Sequence, residues 1–318
     1  MRFLAGSALV GALSLCAGAA LGQIRQDTTA PPAPPAESAQ APVDIEAEAL
    51  VAPARPEVPA ALEAEVARLR TVVRATAECY TADGRMEHEA DPACPRWYAQ
   101  LSRGGAAGVF AIATLLEGDA TSRDEEPDTL RTFIAEEQRG PRLMQIMAAS
   151  QRPEAVPLVL RFVVGGLADP EARYVTDSEG AAWQSLEQLT GNNPAPRAPW
   201  QTRPGATLSS QAYTARAWLR WYRLHQHETR EQWLRAGEQA AAEGLTSEDP
   251  AVRYWAIERL ARVPEARPAV QSAFAALYAS PDLPARGRAH LTRLGRRLRL
   301  QIPRVDPASV ASATPTAQ

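Results

Sequence analysis

Asp249-Pro250-Ala251-Val252-Arg253-Tyr254 repeats the pattern of Asp169-Pro170-Glu171-Ala172-Arg173-Tyr174, which stands 80 residues earlier. Each copy follows an apolar stretch ending in Leu and precedes an apolar run rich in Ala, Trp and Leu. Apolar helix, turn and apolar helix, recurring in this way, is the layout expected of stacked helix pairs that bury their faces on one another.

The flanking sequence extends the pattern. Ala155 to Leu167 is apolar on all sides apart from Arg161, which predicts a buried helix. Asp169-Pro170 makes the turn, and a second helix runs from about Ser178 through Trp183, Leu186 and Leu189 to a stop at Gly191. In the later copy Thr229 and Gln232 form a capping-box pair, Trp233 begins the apolar face and Gly244 closes the helix. Its partner carries Val252, Trp255, Ala256, Leu260 and Val263 as one stripe. A degenerate third copy has Val270, Ala273, Phe274, Leu277 and Tyr278, then Asp282, Arg286 and a helix with Leu291, Leu294 and Leu298. The step from Asp249 to Asp282 is 33 residues.

Helix, a turn with Asp-Pro-x-Val-Arg, and helix, at a period of about 35 to 40 residues, resembles HEAT repeats and the bacterial HEAT-like repeats. The resemblance covers roughly residues 153 to 300, and the segment 192 to 228, with a Pro-rich loop and three Trp, departs from it. It implies an all-α fold, an alpha-solenoid of stacked antiparallel helix pairs. It also implies that Asp169, Arg173, Asp249 and Arg253, with Asp282 and Arg286 in the third copy, pair between neighbouring repeats as an internal ladder.

Upstream the periodicity is also helical. Leu62, Val66, Leu69 and Val73 share a helix face that delivers Cys79. Two helices follow, with Trp97 to Leu101 and with Val109, Ile112, Ala113 and Leu116, broken at Gly104-Gly105. Pro127 and Pro141 each suit a first helical turn. Only Arg161 to Val164, taken alone, passes for a strand.

The ends read differently. Met1-Arg2 followed by an apolar run from Phe3 to Leu21 and small residues resembles a secretory signal peptide cut near Gly22. An uncleaved membrane anchor is the alternative, and Cys16 after Leu15 fits a lipoprotein box poorly. Residues 23–58, rich in Pro, Ala and Glu, and 303–318, rich in Pro, Ala, Ser and Thr, lack the large apolar side chains that offset ordering entropy. The expected organisation is a signal peptide at 1–22, a disordered linker at 23–58, an N-terminal helical region with a disulfide loop at 59–150, repeats at 151–302 and a disordered tail at 303–318. Removal of the signal leaves Cys79 and Cys94, an even pair in an oxidising compartment, and predicts one disulfide. The loop between them holds Asp83, Glu87, His88, Glu89 and Asp91, whose spacing matches no metal-ligand pattern.

All 34 basic residues are arginine, read here as codon bias, and the net charge of -3 exerts no pull toward nucleic acid. Six of the seven Trp lie between positions 183 and 255. Trp218, Trp221 and Tyr222 make an aromatic ridge that is either core packing or a concave surface for a peptide or glycan. His225 and His227, two apart on a helix, point away from each other and read as a helix end. No Ser, His and Asp set suggests a triad, and no carboxylate pair stands in an apolar setting. No cofactor motif is present. Arg286, Arg288, Arg293, Arg296, Arg297, Arg299 and Arg304 crowd the last helix with no acidic residue between Pro284 and Arg304. They are a solvated cap or a dock for an anionic envelope component or acidic protein face, with Arg293, Arg296 and Arg297 at its centre. The resulting expectation is a non-enzymatic scaffold, periplasmic or secreted, that mediates protein-protein interaction in the cell envelope. The alternatives are a glycan- or peptide-binding module and a helical envelope hydrolase.

Overall fold

The computed structural model describes residues 45, 49–79, 93–116, 139–168, 175–201 and 210–303. Several sequence expectations fall outside these residues: the signal peptide with Cys16, most of the linker, the acidic loop from Asp83 to Asp91, the helix after Pro127, the hexapeptide at Asp169 with Arg173, and the tail beyond Pro303.

Among the described residues the protein is all-α, with no strand. Eleven α-helices follow in chain order. They are α1 (Glu63–Ala75), α2 (Cys94–Arg103), α3 (Gly105–Leu116), α4 (Arg139–Ala149), α5 (Ala155–Ala168) and α6 (Val175–Thr190), then α7 (Ser210–His225), α8 (Arg230–Gly244), α9 (Pro250–Leu260), α10 (Arg267–Tyr278) and α11 (Ala285–Leu298). Short 3-10 turns precede and follow α1 at Ala60–Leu62 and Thr76–Cys79.

Local chemistry sets the boundaries. Gly105, at φ +53°, separates α2 from α3, and Gly191, at φ +74°, ends α6. Both are backbone conformations that glycine adopts without a Cβ penalty. The Thr229 hydroxyl accepts from the Gln232 amide N–H while the Gln232 side chain accepts from the Thr229 N–H, a complete capping box for α8. The stretch Arg161 to Val164 lies inside α5.

The main packing contacts join helices one or two places apart among those described: α1 to α2 and α3, α3 to α4 and α5, α4 and α5 to α6, α5 to α7, α6 to α8, and then α8 through α11 in sequence. This progression is compatible with a helical repeat stack. Burial divides into two cores. One runs from Val66 on α1 to Trp233 on α8. The other spans Ala198 to Leu300 and gathers the apolar faces of α9, α10 and α11 around Phe274.

The hexapeptide at 249 starts a helix. The Asp249 carboxylate accepts from the Ala251 amide at 2.8 Å, and Pro250 occupies the first helical position. Arg253 reaches back one turn and donates from Nε to the Ser247 carbonyl at 3.0 Å. Both side chains thus bond within the turn that carries them, and the other half of the expected ladder, Asp169 and Arg173, lies outside the described residues. In the third copy Asp282 is exposed, and Arg286 donates to the Trp200 carbonyl.

A correction concerns the linker. Residues 49–58 lie on the fold: Leu50, Ala52 and Val58 pack against the first core, Arg161 donates to the Pro53 carbonyl at 2.7 Å, and Arg223 donates to the Ala49 carbonyl at 3.2 Å. The segment cannot bury enough surface by itself, so it borrows an apolar face from helices far along the chain.

Cys79 and Cys94 form the expected disulfide, with Cα atoms 5.8 Å apart, joining the end of the α1 turn to the start of α2. Closing the 15-residue separation restricts the unfolded chain by about 3 kcal/mol. A Cys79→Ser, Cys94→Ser double variant is therefore expected to lose about 3 kcal/mol in urea melts. Mass spectrometry of unreduced protein should show the two cysteine peptides linked, and two alkylatable thiols would contradict the pairing.

Candidate functional site

The sequence points to two places, the aromatic ridge on α7 and the arginines of α11. On α7 the side chains turn inward. Trp218 is 1% exposed and Trp221 8% exposed. Trp221 lies 5.6 Å from both the Trp218 and the Trp233 rings, edge to face, and stacks on His225 at 5.0 Å. Tyr222 is half-buried at the margin of the first core. The Trp233 indole N–H donates to the His225 carbonyl at 2.8 Å, and the His225 ring pairs with Glu228 at 3.0 Å, so this end of α7 is fastened to α8. His227 is exposed. The Trp218 and Trp221 side chains are core.

The α11 arginines belong to a polar cluster that α9 completes. Tyr254 and Glu258 are four apart on α9 and share a face, as do His290, Arg293 and Arg297 on α11. The Tyr254 hydroxyl and His290 Nε2 are 3.0 Å apart. The Arg293 guanidinium approaches His290 Nδ1 at 3.5 Å. Since arginine only donates, the tautomer that suits both contacts carries its proton on Nε2 and donates to the Tyr254 oxygen. Glu258 forms an ion pair with Arg297. Trp200 covers the cluster from the side, edge to face on Tyr254 at 5.4 Å and 6.1 Å from His290. It is held there by the Arg286 hydrogen bond to its carbonyl and by the absence of a side chain at Gly287, where a Cβ would stand 3.0 Å from the indole.

Burial and neighbouring charge hold Tyr254 and His290 in their neutral forms at neutral pH. Burial, then the charge and hydrogen bonding of Glu258, push the Tyr254 phenol well above its usual range. Burial and the Arg293 charge hold His290 below the usual imidazole value, so the ring is neutral. Tyr254, His290 and Glu258 thus satisfy one another, and the cations beside them form the outer rim. Arg297 has a carboxylate partner. Arg293 and Arg296 have none within ion-pair distance among the described residues. The other cations of the helix serve the fold: Arg288 donates to the Ser280 carbonyl, and Arg267 of α10 caps the α11 carbonyls at Leu298 and Arg299.

One carboxylate does stand in an apolar setting, alone and invisible to a search for pairs. Glu187 on α6 accepts from the Trp255 indole N–H at 2.9 Å and from the Asn193 amide at 3.3 Å. It thereby bridges a helix of the first core to one of the second. Burial raises its pKa from 4.5, opposed by those two hydrogen bonds and by Arg259, and reinforced by Glu258. Both oxygens are engaged, so the group reads as a seam contact and its chemistry is spent on the fold. A carboxyl whose folded pKa lies above its unfolded value favours folding while protonated. Its contribution falls as pH rises through and above the ordinary Glu range. Urea melts of Glu187→Gln, which cannot ionise, should therefore improve relative to the native chain between about pH 4 and pH 7. A stability difference independent of pH would show that the carboxyl is solvated.

No protein-family model, curated protein or solved structure matches the chain.

Proposed function

We propose that this protein is an exported, non-enzymatic scaffold of HEAT-like repeats that docks an acidic face of a protein partner in the cell envelope through α11. The observation that carries the reading is the rim of that helix. Arg293 and Arg296 are exposed and face no carboxylate among the described residues, in a helix with no acidic residue and a chain whose net charge is -3. Arginine on a rigid helix is suited to this role, because its planar fork meets carboxylates in a fixed geometry at little further entropic cost. The Trp200, Tyr254 and His290 wall holds the helix in place, so the rim is preorganised. Export is supported by the charged start and apolar run of residues 1–22, and by a pair of cysteines positioned to bridge. A glycan- or peptide-binding module built on α7 would need Trp218 and Trp221 at the surface, and they are in the core.

The test is an Arg293→Gln, Arg296→Gln, Arg297→Gln variant. Within the fold the variant loses the exposed Arg297–Glu258 pair and the long Arg293 contact to His290 Nδ1; exposed pairs contribute about 0 to 1 kcal/mol, so the melting temperature should stay within a few degrees of native. Capture of an envelope protein identified by mass spectrometry should be strong at about 50 mM salt, fall steeply toward about 500 mM, and be lost in the variant at both. Undiminished capture by the variant would refute the docking role of α11.

A further inference from the structure

We propose that α3, α5 and α7 together form a binding face for an extended, proline-containing apolar peptide of a partner protein, and that residues 49–58 occupy this face in cis as a resident competitor. This site is separate from α11 and does not depend on the reading of that helix.

The three helices are successive partners in one layer, α3 packing on α5 and α5 on α7. Residues 49–58 cross them in reverse chain order. Ala49 meets Arg223 of α7, Pro53 meets Arg161 of α5, and the Arg55 guanidinium donates to the Thr114 hydroxyl of α3 at 3.1 Å. Three residues lie between the first two anchors, and a run of that length, at up to about 3.3 Å per residue, reaches across helices about 10 Å apart; it begins with a tight turn in which the Val51 N–H donates to the Ala49 carbonyl at 2.9 Å. Leu50 and Ala52 turn toward the first core while Val51, between them, is 64% exposed, and Val58 turns inward near the end.

The mode of recognition is what makes the face general. Arg161 and Arg223 bind backbone carbonyls, which every peptide offers, and the inward side chains are small or aliphatic. Pro53 and Pro56 bring no N–H, so the segment lies on apolar helices without leaving those donors unsatisfied. Arg161 is the one charge in an otherwise apolar helix. A half-buried guanidinium is costly without acceptors, and the Pro53 carbonyl is one of those that satisfy it. The segment joins α1 through Pro59 and a single 3-10 turn, so it can lift away without breaking a helix. A partner segment with the same alternation of inward apolar residues and prolines would meet the same carbonyl donors and the same apolar floor.

The experiment uses the full chain in three forms: native, Leu50→Asp with Ala52→Asp to unseat the segment, and that variant with Arg161→Gln added. The probes are two fluorescein-labelled peptides, one with the sequence of residues 49–58 and one of unrelated sequence with the same pattern of apolar and proline positions. A tethered segment competes at an effective concentration on the order of millimolar, so native protein should bind either probe weakly. Unseating should tighten both by about tenfold or more, and Arg161→Gln should then weaken both by about fivefold. Arg223→Gln serves in its place should Arg161→Gln fail to fold. Four results would overturn the proposal: no saturable binding after unseating, loss of the cooperative melting transition on unseating, indifference to the arginine substitutions, or binding of the chain's own sequence alone with dimer formation. The last would identify the face as a site for strap exchange between copies.

Discussion

Trp221→Ala is expected to lower stability by about 3 to 5 kcal/mol, the range for truncating a buried aromatic. The ring is 8% exposed and touches three others, Trp218, Trp233 and His225. Its loss leaves a cavity at the point where α7 meets α8, and the edge-to-face contacts go with it. Urea melts followed by far-UV circular dichroism measure the loss directly. A decrease below about 1 kcal/mol would mean that the ridge is solvated in solution, and the aromatic surface would return as a binding face.

That the ridge is core was only half legible in the sequence. Trp218 and Trp221 are three apart with Tyr222 beside them, and a ridge wider than one helix face suits either packing or binding. Only the tertiary neighbour decides, and Trp233 lies on the next helix. Features confined to one turn were legible throughout: the Gly104-Gly105 break, the Gly191 stop, and the Thr229 and Gln232 capping box. Each is a contest between the backbone and one nearby side chain, so local residue types settle it. The hexapeptide shows the limit of this. Asp249, Pro250 and Arg253 are the residues of a helix start with hydrogen bonds inside their own turn, while the inter-repeat pairing that the resemblance implies involves Asp169 and Arg173, outside the described residues. The candidate site was legible as arginines and illegible as a cluster. Tyr254 and His290 meet across 36 residues, and Trp255 meets Glu187 across 68. No periodicity records such pairs. The strap was misread because composition measures what a segment buries alone, and this one is held by Arg161, 108 residues away.

Gly237→Val is expected to cost more than about 4 kcal/mol, since overpacking against backbone has no soft escape. A Cβ at position 237 would stand 2.2 Å from the Gly191 carbonyl oxygen and 2.6 Å from its carbon. The Gly191 turn sits against α8 there, fastened by Asn192, which donates to the Trp233 carbonyl at 2.9 Å, and by Arg230, which donates to the Leu189 carbonyl at 3.1 Å. A side chain must therefore push apart the end of α6 and the middle of α8. Gly165→Ala is the opposite case: nothing lies within 4 Å of its Cβ position, and the change should stabilise by about 0.5 to 1 kcal/mol through helix propensity. Thermal and urea melts of the two variants should move in opposite directions. A tolerated Gly237→Val would mean that α6 and α8 do not meet as described.

Contact between the α11 rim and an acidic protein partner can be read by site-specific photo-crosslinking in cells that produce the protein. A photoreactive residue replaces Arg296 in the full chain, and another replaces Glu238 on the exposed face of α8 as the control. The account predicts a discrete crosslinked product from position 296, mapping to an acidic surface of one partner, diminished by Arg293→Gln with Arg297→Gln and absent from position 238. Equal crosslinking from both positions, or none from 296 while the protein is folded and exported, would contradict it.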